Sequence, residues 1–144
     1  MAYTVQSSRE DPLVDMVVDD PDGGPRKRIT VLSGVVAVAS QQAGAMRVYV
    51  RGQQPAGDSV GFYVPGCPVL PSEGDITAHA EASLSQVVVN ARVDNVEVAY
   101  GVGDVKVQLV SAPDRPGRWV YLSFMCHGLQ PIGVRYRVTL QRPA

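Results

Sequence analysis

The sequence has few of the side chains that catalysis or metal binding requires. Its 144 residues include two histidines and two cysteines, and their spacing matches no short-range pair of metal ligands. The candidate zinc ligands are Cys67, His79, Cys126 and His127. Neighbouring residues of a strand point to opposite faces, so Cys126 and His127 would not converge on one ion or form a nucleophile and base pair. We therefore expect no enzyme activity, no catalytic residue, no metal site and no cofactor.

The sequence also lacks an excess of either charge and any long apolar run. It has 13 Lys and Arg residues against 14 Asp and Glu residues, so it offers no basic field for nucleic acid. Its longest apolar run, residues 34–39, is far shorter than the roughly 20 residues of a membrane helix. The N-terminus has no basic segment followed by an apolar one, as a secretory signal would. We expect a protein made in a cytoplasm, with neither nucleic acid nor membrane as a partner.

Two cysteines can form at most one disulfide. Cys67 lies in a loop between Gly66 and Pro68, whereas Cys126 ends a predicted strand, so an inter-strand bridge of the immunoglobulin type is not indicated. A chain of this length buries roughly 68–70% of its unfolded surface and needs no disulfide for stability. We expect one domain with two reduced thiols.

What the sequence does contain is a series of short segments in which apolar and polar residues alternate. Residues 118–141 predict a terminal hairpin, two strands joined by a loop rich in glycine and proline. The second strand has one apolar face, formed by Val134, Tyr136, Val138 and Leu140, and one polar face. The first strand is apolar on both faces. It therefore needs a covering on each side, from this chain or from another subunit.

Further strands and turns are predicted along the rest of the chain. The strands are residues 13–18, 29–40, 46–51, 59–64, 86–93, 96–100 and 104–110. Gly34 predicts a bulge or a bend within its segment, and the strands at 46–51 and 59–64 predict a hairpin. Residues 19–28 and 65–75 are rich in proline and glycine, which predicts loops, and residues 101–103 predict a turn.

Two segments leave alternatives open. The apolar positions of residues 75–85 suit either a helix or a strand. We favour the strand because its other face would be wholly polar, formed by Thr77, His79, Glu81 and Ser83. Residues 1–12 are polar and strand-like only at 3–6, so they either fray or form an arm that docks on a neighbouring molecule.

Together these segments predict an all-β protein. About nine or ten short strands separated by turn signals are typical of an antiparallel β-sandwich, either immunoglobulin-like or jelly-roll. The sandwich domain would span residues 13–144, preceded by an N-terminal arm at residues 1–12.

Aromatic residues supply the candidate binding surface. Trp119 and Tyr121 would lie on one side of one strand, about 7 Å apart, and Tyr63 or Tyr49 could join them from another strand. The candidate interface residues are Trp119, Tyr121, Met125, Tyr63, Tyr49 and Tyr3. Three interpretations stay open: a core cluster under the proline-rich loop, a subunit interface, or a platform on which sugar rings stack.

The chain resembles small virion structural proteins of tailed phages that infect actinobacteria. The resemblance rests on the polar N-terminal arm, the predicted β-sandwich, the loops rich in proline and glycine, and the presence of only two lysines. Minor tail proteins and capsid decoration proteins of that group share these features. The resemblance implies a non-enzymatic protein, assembled in the host cytoplasm into a virion with other copies of itself and other virion proteins. The alternative hypothesis is a carbohydrate-binding β-sandwich that attaches to a host-surface glycan through its aromatic residues.

Overall fold

In a computed structural model, which describes residues 3–40, 58–87, 101–111, 114–127 and 132–144, the chain is all-β. Its strands within these ranges are β1 (Tyr3–Glu10), β2 (Val14–Val18), β3 (Lys27–Ser40), β4 (Asp58–Tyr63), β5 (Thr77–Val87), β6 (Gly101–Ser111), β7 (Arg118–His127) and β8 (Ile132–Pro143). They form two antiparallel sheets, which confirms the predicted all-β class. Among these residues there is no helix long and apolar enough to cross a membrane.

Of the described strands, five form the larger sheet, in the order β1-β3-β8-β5 with β2 also paired to β3. The other three form the smaller sheet, in the order β4-β7-β6. At the edges, β1 approaches β4 and β5 approaches β6. The two sheets therefore meet along both sides, which limits the exposure of their unpaired backbone edges.

One hydrophobic core lies between the sheets. The inward residues of β7 are Val120, Leu122, Phe124 and Cys126, and those of β8 are Ile132, Val134, Tyr136, Val138 and Leu140. Phe62 links the two sets, because its ring lies 6.2 Å from the Phe124 ring and 5.4 Å from the Tyr136 ring, both edge-to-face. Alternation along β7 and β8 thus turns one face towards the core and the other face outwards.

The predicted terminal hairpin is wrong. β7 pairs with β4 and β6, whereas β8 pairs with β3 and β5 in the other sheet. Each of the two strands has one fully buried face, and these faces meet across the core instead of lying side by side. Alternation correctly identified the inward residues, but it does not specify which strand is the hydrogen-bonded neighbour.

The bulge or bend predicted at Gly34 is also wrong, because β3 runs unbroken through it. One edge of β3 is shared instead: β2 pairs with it from Lys27 to Val31, and β1 pairs with it from Gly34 to Ser40. Gly34 is required for close packing at this junction. A Cβ atom there would lie 2.5 Å from the Arg9 carbonyl oxygen and 2.8 Å from Tyr136 Oη.

Three further segments can be compared with their sequence-based predictions. Residues 77–87 form β5, which confirms the strand alternative for that segment. Residues 3–10 of the predicted arm form β1, paired with β3 as part of the five-stranded sheet. Residues 101–103 were expected to be a turn, but they begin β6, and a bulge follows between Gly103 and Lys106 where Asp104 has a φ of 49°.

Several predictions concern residues outside the described ranges. They are the strand at 46–51, its hairpin with 59–64, most of the strand at 86–93 and the whole of the strand at 96–100. Where the neighbouring residues are described, β4 pairs with β7.

The predicted strand at 104–110 is confirmed as part of β6. Val105, Val107 and Leu109 pack against the core, whereas Lys106 and Gln108 are exposed.

Candidate functional site

The candidate site is a row of aromatic rings on the outer face of the three-stranded sheet. Pairing of β4 with β7 places Tyr63 directly opposite Tyr121. The Tyr63 ring centroid lies 5.2 Å from that of Tyr121, nearly perpendicular, and 4.9 Å from that of Trp119, tilted by 37°. We call Tyr63, Trp119 and Tyr121, together with Arg115, the aromatic ridge. The structure therefore brings together three of the aromatic residues that the sequence singled out.

Gly61 explains why Tyr121 lies across β4. A Cβ atom at Gly61 would lie 2.6 Å from Tyr121 Cζ, so any larger residue would displace the ring. The missing side chain lets the Tyr121 ring settle over the neighbouring strand and reach the edge of Tyr63. The ridge thus depends on a small residue two positions before Tyr63 as well as on the aromatic residues themselves.

Arg115 caps the ridge at its other end and ties it to the proline-rich loop. Its guanidinium carbon lies 4.0 Å from the centroid of the Trp119 ring system. Arg115 Nη1 donates to the Cys67 carbonyl at 3.0 Å, and Nη2 donates to the Pro68 carbonyl at 3.3 Å. The guanidinium is therefore fixed between the loop and the indole, where the cation and the ring attract each other. Nothing in the sequence singles out Arg115, because it lies in a turn, where no strand periodicity indicates the direction of a side chain.

Trp119 and Tyr63 contribute to the ridge in different ways. Trp119 Nε1 donates to the Val64 carbonyl at 2.9 Å, and the indole packs against the core, so this side chain supports the fold. Tyr63 has 40% of its surface exposed. Tyr121 is half-buried, and so is Met125, which lies opposite Ser59 on the same outer face. Tyr63 is consequently the part of the ridge most available to a partner.

Tyr3 and Tyr49 are the remaining candidate interface residues. Tyr3 begins β1, opposite Ser40 in the five-stranded sheet, and so is not part of the ridge. Tyr49 is outside the described residues. The sequence could not rank Tyr49 against Tyr63, because both occupy aromatic positions in predicted strands.

Cys67, Cys126 and His79 are among the side chains that metal binding or nucleophilic catalysis could use. Cys67 and Cys126 are both free and buried. Burial raises the pKa of the Cys126 thiol to about 12, so it stays protonated and unreactive at neutral pH. His79 lies on the exposed face of β5, with Nε2 3.0 Å from Glu81 Oε1. Within the residues that the structure describes, no three His, Cys, Asp or Glu side chains are grouped to hold a metal ion.

Strand β2 and the residue before it form a second apolar surface, which sequence analysis did not identify. The exposed side chains are Leu13 (47%), Val14 (40%), Met16 (48%) and Val17 (39%). Among the described residues β2 pairs with β3 and with no other strand. Leu13 and Val17 lie on one of its faces and Val14 and Met16 on the other, so both faces are incompletely covered. Its sequence, VDMVV, has one polar residue, which is the signal that could have indicated an unusual strand.

These features define a small all-β protein with two antiparallel sheets, an apolar edge strand and an aromatic ridge on one outer face. Comparisons with family models, with curated proteins and with solved structures give no match.

Proposed function

We propose that the chain is a non-enzymatic structural protein of a phage virion, of the minor tail or capsid decoration type, and that it acts through contacts with other copies of itself. The observation that carries this proposal is the aromatic ridge with its exposed Tyr63. Tryptophan, tyrosine and arginine are the residue types enriched at the energetic centres of protein interfaces. The assignment to a virion is supported by the resemblance in composition and predicted organisation described above.

The strand connections support a jelly-roll arrangement as part of this proposal. In immunoglobulin domains the last two strands share a sheet. In this chain β7 and β8 lie in different sheets, and so do β4 and β5, which residues 64–76 connect. A connection that crosses from one sheet to the other passes around the core, as connections in a jelly-roll do. Both closing strands then contribute one face to the core and leave the other face for assembly.

Carbohydrate binding through the ridge is the alternative, and the ring geometry supports it less well. A sugar ring stacks on an open aromatic face with a polar rim. The Trp119 ring already has the Arg115 guanidinium over it and Tyr63 tilted beside it. Tyr63 and Tyr121 are inclined at 73° to each other, so they offer no common plane. A stepped surface of this kind suits the irregular relief of a protein partner.

Light scattering of the purified protein over a range of concentrations tests the proposal. We expect the wild-type protein to self-associate and Tyr63→Ser to weaken the association about tenfold or more, as for a hot-spot residue. Gln108→Ser is the matched control, because Gln108 is exposed on the same face opposite Tyr121 and should leave association unchanged. In urea titrations Tyr63→Ser should cost about 1–3 kcal/mol, because the variant loses two ring contacts and the apolar area that they bury.

Trp119→Ala would be a less selective probe than Tyr63→Ser. It removes the donor to the Val64 carbonyl as well as part of the ridge, so it lowers stability and association together. A wild-type protein that stays monomeric at all concentrations, or a Tyr63→Ser variant that associates like wild type, would contradict the proposal. A stable monomer that is retained on a polysaccharide column would support the carbohydrate alternative.

A further inference from the structure

The outer face of the five-stranded sheet contains a cavity of about 480 Å³. It lies on the other sheet from the aromatic ridge and is bounded by β1 on one side and β5 on the other. Its volume falls within the range of small-molecule sites, roughly 300–1,000 Å³. We call it the outer depression.

Cross-strand register explains why the sheet surface is hollow here. One row across the strands consists of Arg9, Val35 and Arg135. The next row consists of Ser7, Ala37, Gly133 and Gln86. The two central positions of the second row hold Ala and Gly, whereas longer side chains stand around them. The floor is therefore low and largely apolar, and the walls carry the polar groups.

Two β-bulges lie at opposite ends of the second row. The register of β1 shifts between Val5 and Ser7, and the register of β5 shifts between Leu84 and Gln86. A bulge leaves one residue outside the ladder and redirects the neighbouring side chains. On β5 that residue is Ser85, which lines the outer depression. Bulges are common beside functional sites, and here two of them converge on the same cavity.

The lining of the outer depression carries two positive charges, one of which, on Arg135, is paired with the Asp11 carboxylate. Arg9 and Arg135 line it, and among the described residues no acidic side chain does. Asp11, outside the cavity, orients Arg135 by accepting from Nη1 at 3.2 Å, and Asp11 itself accepts from Ser33 Oγ at 3.1 Å. A guanidinium has five N–H donors, so most of those on Arg135 remain available for an anion. The two arginines stand about 10 Å apart along the row, within the combined reach of their side chains.

We propose that the outer depression binds a small anionic sugar, one that carries a phosphate or a carboxylate. The two guanidinium groups hold the anionic group, because arginine recognises both phosphate and carboxylate with paired hydrogen bonds. The Ser7 and Ser85 hydroxyls and the Gln86 amide bond to the sugar hydroxyls, and the ring lies over the floor between them. This site is separate from the aromatic ridge, so sugar binding can be tested independently of self-association.

Titration of the ¹⁵N-labelled protein followed by NMR tests the site. The probes are glucose 6-phosphate, glucuronate, glucose and inorganic phosphate. We expect glucose 6-phosphate or glucuronate to shift the amides of Arg9, Ala37, Gly133 and Gln86 in a saturable way, with affinity about tenfold above glucose and above inorganic phosphate. The tighter of the two sugars identifies the anionic group. Binding of inorganic phosphate as tightly as both charged sugars would overturn the proposal.

Two variants and one matched control complete the test. Arg9→Gln removes one guanidinium at an exposed position, and Ala37→Leu fills the floor without a change of charge. Each should weaken binding about tenfold. Arg137→Gln removes an exposed arginine of β8, the strand that also carries Arg135, but Arg137 does not line the cavity, so this variant should bind as wild type does. Wild-type affinity in Arg9→Gln and Ala37→Leu, or an equal loss in Arg137→Gln, would contradict the site.

Discussion

At the scale of single residues, Tyr136 combines deep burial with an unsatisfied hydroxyl. It is 1% exposed, and within the described part of the chain its Oη has no hydrogen-bond partner. Burial, with added repulsion from the charges of Glu10 and Asp11, raises the pKa of its phenol to about 12. Its ring packs beside Gly34 and edge-to-face against Phe62. The ring therefore stabilises the core, whereas the hydroxyl opposes that stabilisation.

Replacing the hydroxyl alone should be harmless to stability. We expect Tyr136→Phe to leave the free energy of unfolding unchanged or to raise it by about 1 kcal/mol, because it removes a buried unpaired polar atom and keeps the ring. Tyr136→Ala, the control for packing, should lower it by about 3–5 kcal/mol. Urea titrations measure both. A loss of more than about 1 kcal/mol in Tyr136→Phe would mean that the hydroxyl has a partner in solution.

At the scale of elements, β2 depends on one carboxylate as well as on its backbone pairing with β3. Asp15 Oδ1 accepts from Arg28 Nε at 3.1 Å and from Thr30 Oγ1 at 3.1 Å. Thr30 is only 1% exposed, so its hydroxyl relies on this partner. Asp15 thus links β2, whose other side chains are largely apolar and exposed, to β3 through side-chain hydrogen bonds.

Loss of the Asp15 carboxylate should therefore destabilise the protein. We expect Asp15→Ala to lower the free energy of unfolding by about 1–3 kcal/mol, because it leaves the buried Thr30 hydroxyl unpaired. Asp19→Ala is the control: Asp19 also pairs with an arginine, Arg26, at 2.9 Å, but both side chains are mostly exposed. It should cost less than about 1 kcal/mol. Equal losses in the two variants, compared by urea titration, would show that Thr30 does not need Asp15.

For the whole molecule, two weak acids in the shared core make the free energy of unfolding fall as the pH rises in the alkaline range. The Cys126 thiol and the Tyr136 phenol both have pKa values raised to about 12, from ordinary values of 9.0 and 10.0. In both cases burial is the main cause, since the ionised form would lack water. The unfolded chain releases these protons at lower pH than the folded chain does. Keeping both groups protonated in the folded chain contributes fully to the free energy of unfolding below about pH 9. This contribution is lost as the pH rises towards 12.

We expect the free energy of unfolding to fall steadily between about pH 9 and pH 11. The double variant Cys126→Ala/Tyr136→Phe should show a smaller slope over that range, whatever its stability at pH 7, because it has neither group. Urea titrations at a series of pH values measure the slope. The same slope in the double variant and in wild type would show that other groups cause the alkaline loss.

Local patterns of apolar and polar residues were enough to predict the all-β class and the inward face of several strands. Alternation placed Val134 and Val138 of β8 in the core, and the polar row that begins at Thr77 correctly favoured a strand over a helix. Strand spacing also put Trp119 and Tyr121 on one side of β7. These inferences succeed because the two-residue period of a strand is local, so nearby residues are enough to reveal it.

The pairing of the strands, and the side chains that this pairing brings together, could be seen only in the folded chain. It placed β7 and β8 in different sheets, put Tyr63 and Arg115 beside Trp119, and aligned Arg9 with Arg135 across β3. Every residue except proline offers the same backbone donor and acceptor to a neighbouring strand, so the hydrogen bonds themselves carry no label for the partner. The partner is selected when both sheets close around one core, which no single segment of the sequence contains.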